Sequence, residues 1–452
     1  MVQQMTEDQI LLLIIKYLKE LKKEEFQNII EELQPYDIAK LYKNLPSKHR
    51  YKFLLFLNPR QIAELIQELD IKLQHDVLHK LGIEKSSTVM DLMDNDDLAD
   101  LLNELSVDKI QEYLTAMKTE ESETVKNLMR FPPDTAGGIM TNRYVWIRIY
   151  YTVREAVDKF KLFAEYAESL YYLYVLDENK KLVGVVSYRD LLLADMDDKI
   201  EDIMFSRVIS VPVDMDQEEV AKTIRKYDFI AIPVVDKENK MAGIITVDDL
   251  IDVVVEEANE DIEKLSASGK DIDFNTKSHV AAFRRLPWLI FLLFIGLISG
   301  SIISNFESTL NKVIALTYFM PMISGMSGNT GTQSLAVVVR GLASHDIDRK
   351  TIFNLVLREL GVGLIIGVIN GSLIAAIAYF WQGNPMLGLV VGSSLFATLI
   401  IGTLAGTIIP LLLYRLKIDP AIASGPLITT LNDIFSLSVY FGMATIFMSH
   451  LL

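Results

Sequence analysis

Asp433, in Thr430-Leu-Asn-Asp433, sits about halfway along an apolar stretch that runs roughly from 421 to 448. An ionised carboxylate at the centre of a bilayer costs about 2.5–3.5 kcal/mol on insertion scales. No basic residue lies at comparable depth to offset it. A bound cation, a water-filled path, or a protonated acid hydrogen-bonded across helices are the compensations left. A second group of acids is concentrated between 248 and 263: Asp248, Asp249, Asp252, Glu256, Glu257, Glu260, Asp261 and Glu263, with no Lys or Arg among them. On a helix, Asp249, Asp252, Glu256 and Glu260 share one face, and Glu257 and Asp261 lie beside it. Like charges four residues apart destabilise a helix mildly. Such a face is either solvated or gathered by counter-ions, and hard divalent cations prefer oxygen ligands. The run leads through 264–285 into apolar sequence, so a helix reporting cation binding at the mouth of a pore is a coherent use of it.

Other chemistries fall away. With no cysteine there is no disulfide, thiolate metal site or cysteine nucleophile. The six histidines are scattered; His75 and His79 form an i, i+4 pair without a third ligand and read as surface histidines. No phosphate-binding loop or nucleophile–base set is present, so an enzyme is not expected. Gly361-Val-Gly363 with Gly367 lies inside an apolar stretch and reads as small-residue helix packing. No basic patch points to nucleic acid.

The elements that must hold these acids divide sharply. The 452 residues are half hydrophobic yet carry a net charge of −16. Residues 281–452 hold 9 Lys+Arg and 6 Asp+Glu, a net +3, which leaves 35 basic and 54 acidic residues, a net −19, in 1–280. Five apolar stretches, roughly 286–305, 313–339, 357–381, 388–414 and 421–448, can each supply the ~20 residues of a spanning helix. Arg284, Arg285, Arg340, Arg349, Lys350, Arg358, Arg415 and Lys417 fall on one side of these spans and only Lys312 on the other. The positive-inside rule then puts the acidic N-terminal part in the cytoplasm and the C-terminus outside. The second stretch is interrupted by Pro321-Met-Ile-Ser-Gly-Met-Ser-Gly-Asn-Thr-Gly-Thr-Gln-Ser334. Backbone of that composition serves at membrane depth either along a watery path or as a close-packed small-residue seam.

Residues 1–130 read as amphipathic helices in a loose superhelix. Asp37-Ile-Ala-Lys-Leu, Gln61-Ile-Ala-Glu-Leu and Asp97-Leu-Ala-Asp-Leu repeat one pattern, each with a further Leu four residues on. Residues 131–260 contain a true repeat: Leu173–Leu191 matches Ile232–Leu250, with Asp177/Asp236, Gly184/Gly243 and Asp190/Asp249 at a common offset of 59. Each copy reads as strand, Asp/Asn turn, strand and capped helix. This β-α-β-β-α unit resembles the CBS domain, whose tandem pairs often bind adenine nucleotides. The matching positions are Tyr172, Arg189, Asp190, Phe229 and Pro233. The resemblance leaves open nucleotide binding, ATP included, or a purely structural module.

The order of helical acidic domain (1–130), tandem CBS pair (131–260), acidic connection (261–285) and five-span membrane domain (286–452), with Asp134-Thr-Ala-Gly-Gly-Ile-Met-Thr141, the 321–334 segment and Thr430-Leu-Asn-Asp433, resembles the MgtE family of prokaryotic magnesium channels over essentially the whole chain. The fold class expected is therefore multidomain: an all-α superhelical domain, an α/β CBS module and an α-helical membrane domain with five transmembrane helices per subunit. The resemblance implies a homodimer in the cell membrane, with Asp433 of both subunits binding hydrated Mg²⁺ in a central pore. It implies that Gly325, Gly328, Asn329 and Gln333 shape the pore or its helix packing, and that 264–280 forms a connecting plug helix. It places cytoplasmic Mg²⁺-sensing acids at Glu64, Asp96, Asp100, Asp216, Glu218, Asp228, Asp249, Asp252, Glu257, Glu260 and Asp261. Where a relative has a polar Asn before the proline of the fifth span, this chain has Gly425-Pro426. The expected function is a Mg²⁺-selective channel closed by cytoplasmic Mg²⁺; a secondary Mg²⁺ transporter with the same sensor is the alternative.

Overall fold

Short polar residues and prolines begin the N-terminal helices. Asn58 accepts from the Gln61 amide at 2.9 Å while the Gln61 side chain caps the Asn58 amide in return, and Pro59 takes the first helical position. Asp70 caps the next helix through the Leu73 amide. In a computed structural model of the chain, which describes residues 5–164, 167, 169–269, 272, 274, 276–344 and 348–451, the residues divide into two units, Met1–Val255 and Glu256–Leu452.

The first unit opens with ten helices: α1 (Glu7–Glu20), α2 (Lys23–Ile30), α3 (Pro35–Asn44), α4 (Ser47–Phe56), α5 (Pro59–Gln67), α6 (Ile71–Leu81), α7 (Ile83–Met90), α8 (Asn95–Asn103), α9 (Val107–Ala116) and α10 (Thr119–Leu128). Most pack on the helix two places along: α1 on α3, α3 on α5, α5 on α7, α7 on α9, and α8 on α10. The repeated pattern explains the stacking. Ile38, Ala39 and Leu41 of α3, Ile62, Ala63 and Leu65 of α5, and Leu98, Ala99 and Leu101 of α8 are all buried at equivalent positions. The alanine lets the neighbouring helix come close while the larger residues fill its flanks.

Two three-stranded sheets follow. In the first, β1 (Tyr144–Arg148), β2 (Ser169–Leu176) and β3 (Leu182–Ser187) lie in that order, β1 parallel and β3 antiparallel to β2, with α11 (Val153–Phe163), α12 (Tyr188–Leu193) and the short α13 (Ile200–Ile203). The second repeats it with β4 (Val211–Pro212), α14 (Gln217–Tyr227), β5 (Ala231–Val235), β6 (Met241–Thr246) and α15 (Val247–Ser266). The Asp/Asn turn is built identically twice. Asp177 accepts from the amides of Asn179 and Lys181, and Asp236 from those of Glu238 and Lys240, while Lys180 and Asn239 turn the chain at φ 64° and 62°. The two hairpins pair with each other, Leu182 donating to Asn239 and Met241 to Lys180. Tyr174, Leu176, Leu182, Ala231, Val235 and Ile244 form the core that joins the repeats. The helical core of α1–α10 runs on into the second repeat through Ala136, Met140, Val220, Ile232 and Leu250.

The second unit, taken by itself, contains α16 (Ser278–Asn305), α17 (Glu307–Lys312), α18 (Leu316–Ser344), α19 (Arg349–Gln382), α20 (Pro385–Arg415), a 3₁₀ turn (Pro420–Ile422), α21 (Gly425–Ile446) and α22 (Met448–Leu451). α20 packs against α19, α18 and α21, and α16 packs mainly on α21. Four of these helices, α16, α19, α20 and α21, are long and apolar enough to cross a membrane. α18 matches them in length at 29 residues, but its Gly, Ser, Thr, Asn and Gln content takes it out of that set. The expected connecting helix over 264–280 is not one helix. α15 ends at Ser266, the chain turns at Ala267 (φ 52°) and Gly269 (φ 83°), and residues from Ser278 onward already belong to α16. A left-handed residue cannot continue a right-handed helix.

Glycines set how closely α18 and α20 cross. A Cβ at Gly406 would overlap the Gly331 carbonyl oxygen, and one at Gly402 would come within 2.7 Å of the Ser327 carbonyl. Gly361 has open space around its Cβ position. Gly406→Ala is therefore expected to destabilise the protein by about 1–3 kcal/mol, and Gly361→Ala to leave its melting temperature in detergent unchanged.

Candidate cation sites

The intramembrane acid is placed by its neighbour in sequence. Asn432, fully buried, donates to the Ser327 carbonyl at 3.2 Å, and the Ser327 hydroxyl donates to the Thr398 carbonyl at 3.0 Å. A Cβ at Gly331 would collide with the Asn432 amide, so glycine there makes this seat possible. With Asn432 turned inward against α18, Asp433 comes to the edge of the same contact, half-buried, where the Ser324 hydroxyl donates to its Oδ1. Gly325, Asn329 and Gln333 lie on the outward side of α18, exposed in the single chain. Gly328 does not join them: it is buried with Thr429 at 2.8 Å from its Cβ position and serves helix packing. Further along, the Ser334 hydroxyl donates to Glu359 at 2.9 Å, and Arg358 pairs with the same carboxylate at 2.8 Å. Glu359 is buried, a burial its place near a span end did not reveal.

In the first unit a cluster of carboxylates forms at α8. Gln67 donates to Asp94 at 2.7 Å and to Asp97 at 2.6 Å, while Arg143, from the start of the CBS region, pairs with Asp94 at 2.8 Å. Asp249, at the start of α15, and Asp100 add their charges to that of Asp94 around Asp97. Asp97 keeps solvent-exposed surface. Even so, protein crowding around its carboxyl, helped by Asp94, Asp249 and Asp100 and opposed by the Gln67 hydrogen bond, pushes its pKa up to about 6. Sequence reading named Asp96, Asp100 and Asp249 but not Asp94 or Asp97; the signal available was the acidic α8 start, Asp94-Asn-Asp-Asp97. Asp96 is buried, and the Thr246 hydroxyl donates to Asp249.

The other expected sensing acids are dispersed. Glu64 pairs with Arg60 at 3.3 Å and Glu218 with Lys222 at 3.3 Å, each within one helix. Asp216 caps α14 through the Glu218 amide, and Asp228 ends it at φ 53°. Asp252 is exposed on α15, and Glu257 and Asp261 are partly buried. Glu260 pairs with Lys264 at 3.0 Å, and the same ammonium reaches Asp419 at 2.6 Å. Burial would lower the Lys264 pKa, but hydrogen bonds and charges from Asp419 and Glu260 push it up to about 12. Among the described residues, no three His, Asp or Glu side chains converge as a ready-made metal cage.

The positions expected to bind nucleotide lie in both repeats. Tyr172 pairs across the sheet with Ser187, whose hydroxyl donates to Asp190 at 2.6 Å, and Arg189 stands exposed beside them. Phe229, stacked on Tyr227 at 5.5 Å, and buried Pro233 belong to the second repeat, whose β5 adjoins β2.

The raised Asp97 pKa has a signed consequence. Between the ordinary carboxylate value and about 6, the folded chain binds a proton that the unfolded chain has released, so stability falls as pH rises through this window. Asp97→Asn should melt a few degrees above the parent at pH 7 in Mg²⁺-free buffer and coincide with it near pH 4. Thermal denaturation followed across pH checks this.

Comparison with known proteins covers both units. Residues 33–134 match the family model "MgtE intracellular N domain", 136–197 and 200–256 the CBS domain, and 320–443 the family "Divalent cation transporter". The chain is 57% identical over 451 residues, the full length of both, to the magnesium transporter MgtE of Bacillus subtilis (strain 168). It is 37% identical to that of Thermus thermophilus, over 92% of this chain and 94% of the relative. The crystal structure of the soluble part of a magnesium transporter superposes with a TM-score of 0.54 at 37% identity, covering 56% of this chain and all of that one. The cytosolic domain of the Mg²⁺ channel MgtE in complex with ATP superposes at 0.52 with 35% identity, over 54% and 99%. The chain belongs to the MgtE family of magnesium transporters, which are not enzymes.

Proposed function

We propose that the protein is a Mg²⁺ channel whose pore is lined by α18 and α21 and which closes when cytoplasmic Mg²⁺ occupies the acids of the first unit and α15. The observation that carries this reading is the half-buried Asp433, hydrogen-bonded by Ser324, beside the exposed polar row Gly325, Asn329 and Gln333 on a helix of spanning length. A polar row of this kind is costly against lipid and suits a watery path. In this reading α18 crosses the bilayer as a fifth span, the first unit is cytoplasmic, the C-terminus is outside, and a second copy completes the pore. Two Asp433 carboxylates facing each other then repel, and a divalent cation relieves the repulsion better than Na⁺. Because Mg²⁺ gives up its waters reluctantly, such a ring recognises the hydrated ion by charge and size. Influx needs no other energy source, since the membrane potential supplies about 2.3 kcal/mol per charge per 100 mV.

Closure follows from the same repulsion. In the folded unit the charges of Asp94, Asp249 and Asp100 act on Asp97, and in this reading Mg²⁺ screens them. At low Mg²⁺ they push apart, biasing the chain toward the open state, a ligand-shifted equilibrium between two conformations. ATP would use Tyr172, Arg189, Asp190, Phe229 and Pro233. The equivalent position of Arg189 in the second repeat is Asp248, so a cation for phosphate stands at only one of the two.

In proteoliposomes, Asp433→Ala should lose Mg²⁺ uptake while remaining folded; uptake at the parental rate would reject the pore assignment. Asp249→Asn, Asp252→Asn and Glu257→Gln combined should leave current flowing at millimolar internal Mg²⁺, where the parent closes. Unitary currents in a patch distinguish this reading from a coupled exchanger, in which Asp433 would carry a proton step.

A further inference from the structure

We infer that Lys264 is a positioning residue that ties the exit of α15 to the loop feeding α21 without the help of a divalent cation. The inference rests on the reading above in taking α15 as the coupling helix. One ammonium joins two carboxylates from distant parts of the chain, Glu260 at 3.0 Å and Asp419 at 2.6 Å. Asp419 is itself held: its other oxygen accepts the Ala421 amide at 2.8 Å and so caps the 3₁₀ turn that leads into Ser424 and α21. The next residue makes the contact two-sided. Leu265 packs against the cluster that Leu335 and Val339 of α18 form with Ala421, Ala423 and Ile428. Immediately afterwards the chain turns away at Ala267 and Gly269.

These observations distinguish Lys264 from the basic partners of Glu64 and Glu218. Arg60 with Glu64 and Lys222 with Glu218 each bridge one helix, and neither pair joins two elements. The Lys264 side chain is 29% exposed and sits beside an apolar contact, a setting in which an ion pair is screened less than at the open surface. Without the ammonium, Glu260 and Asp419 would face each other as like charges. With it, the end of α15 stays attached to the foot of α21 whether or not Mg²⁺ is present. A displacement of α15 then reaches the helix that carries Asp433 directly.

Hydrogen exchange of the full-length protein in detergent with EDTA tests this without using ion flux. The wild-type amides of 258–266 should be protected in EDTA. Lys264→Gln should exchange there about tenfold faster, with α20 unchanged, and Lys264→Arg should behave as wild type. Wild-type rates in Lys264→Gln, protection of the wild type only after Mg²⁺ is added, or equal acceleration in α20 would each overturn the inference. The channel reading stands or falls separately, on uptake by Asp433→Ala.

Discussion

A carboxylate taken out of water must be given something in return, and most of this protein's distinctive contacts are answers to that demand. Glu359 receives a hydroxyl from Ser334 and the guanidinium of Arg358. Glu260 and Asp419 share one lysine, and Asp94 has Arg143. Among the described residues, Asp433 has the Ser324 hydroxyl for a partner, and it stays partly exposed. Asp97 has an amide beside it rather than a cation, and burial, with the charges of Asp94, Asp249 and Asp100, raises its pKa against that hydrogen bond. The acids matched by fixed cations build the fold.

Close packing of small residues makes the intramembrane arrangement possible. Gly331, Gly402 and Gly406 let α18 and α20 approach until carbonyl oxygens occupy the space of missing methyl groups. At that separation Asn432 can reach the Ser327 carbonyl, and the register of α21 on α18 is settled. Asp433 is then presented outward by geometry alone, since neighbouring helical residues point about a quarter-turn apart. The selectivity proposed for Asp433 thus depends on glycines with no chemistry of their own.

Much of this was legible beforehand. The 59-residue repeat appears as paired Asx turns, paired left-handed residues and a matched hydroxyl–carboxylate contact, Ser187 with Asp190 and Thr246 with Asp249. These are local features, specified within a few residues. The Ile-Ala-x-Leu pattern likewise marked buried faces, because helical periodicity is local too. The expected plug helix failed where Ala267 takes a left-handed conformation. Ala carries no such preference in sequence, and the contacts of Leu265 and Lys264 accompany the turn there. Nothing near Asp94 and Asp97 in sequence shows that Arg143 pairs with the one or that the charge of Asp249 acts on the other.

The sequence by itself determined the division into an acidic helical part, a repeated α/β module and an apolar helical part, and it singled out Asp433 and the acidic run of α15. Composition and periodicity suffice for this, since solvation and helix or strand geometry act over neighbouring residues. Which acids face a fixed cation and which face one another is set by the packing of distant segments. Pairing depends on Coulomb interactions between groups such as Lys264 and Asp419, 155 residues apart in the chain, and those fall off with distance in space rather than in sequence.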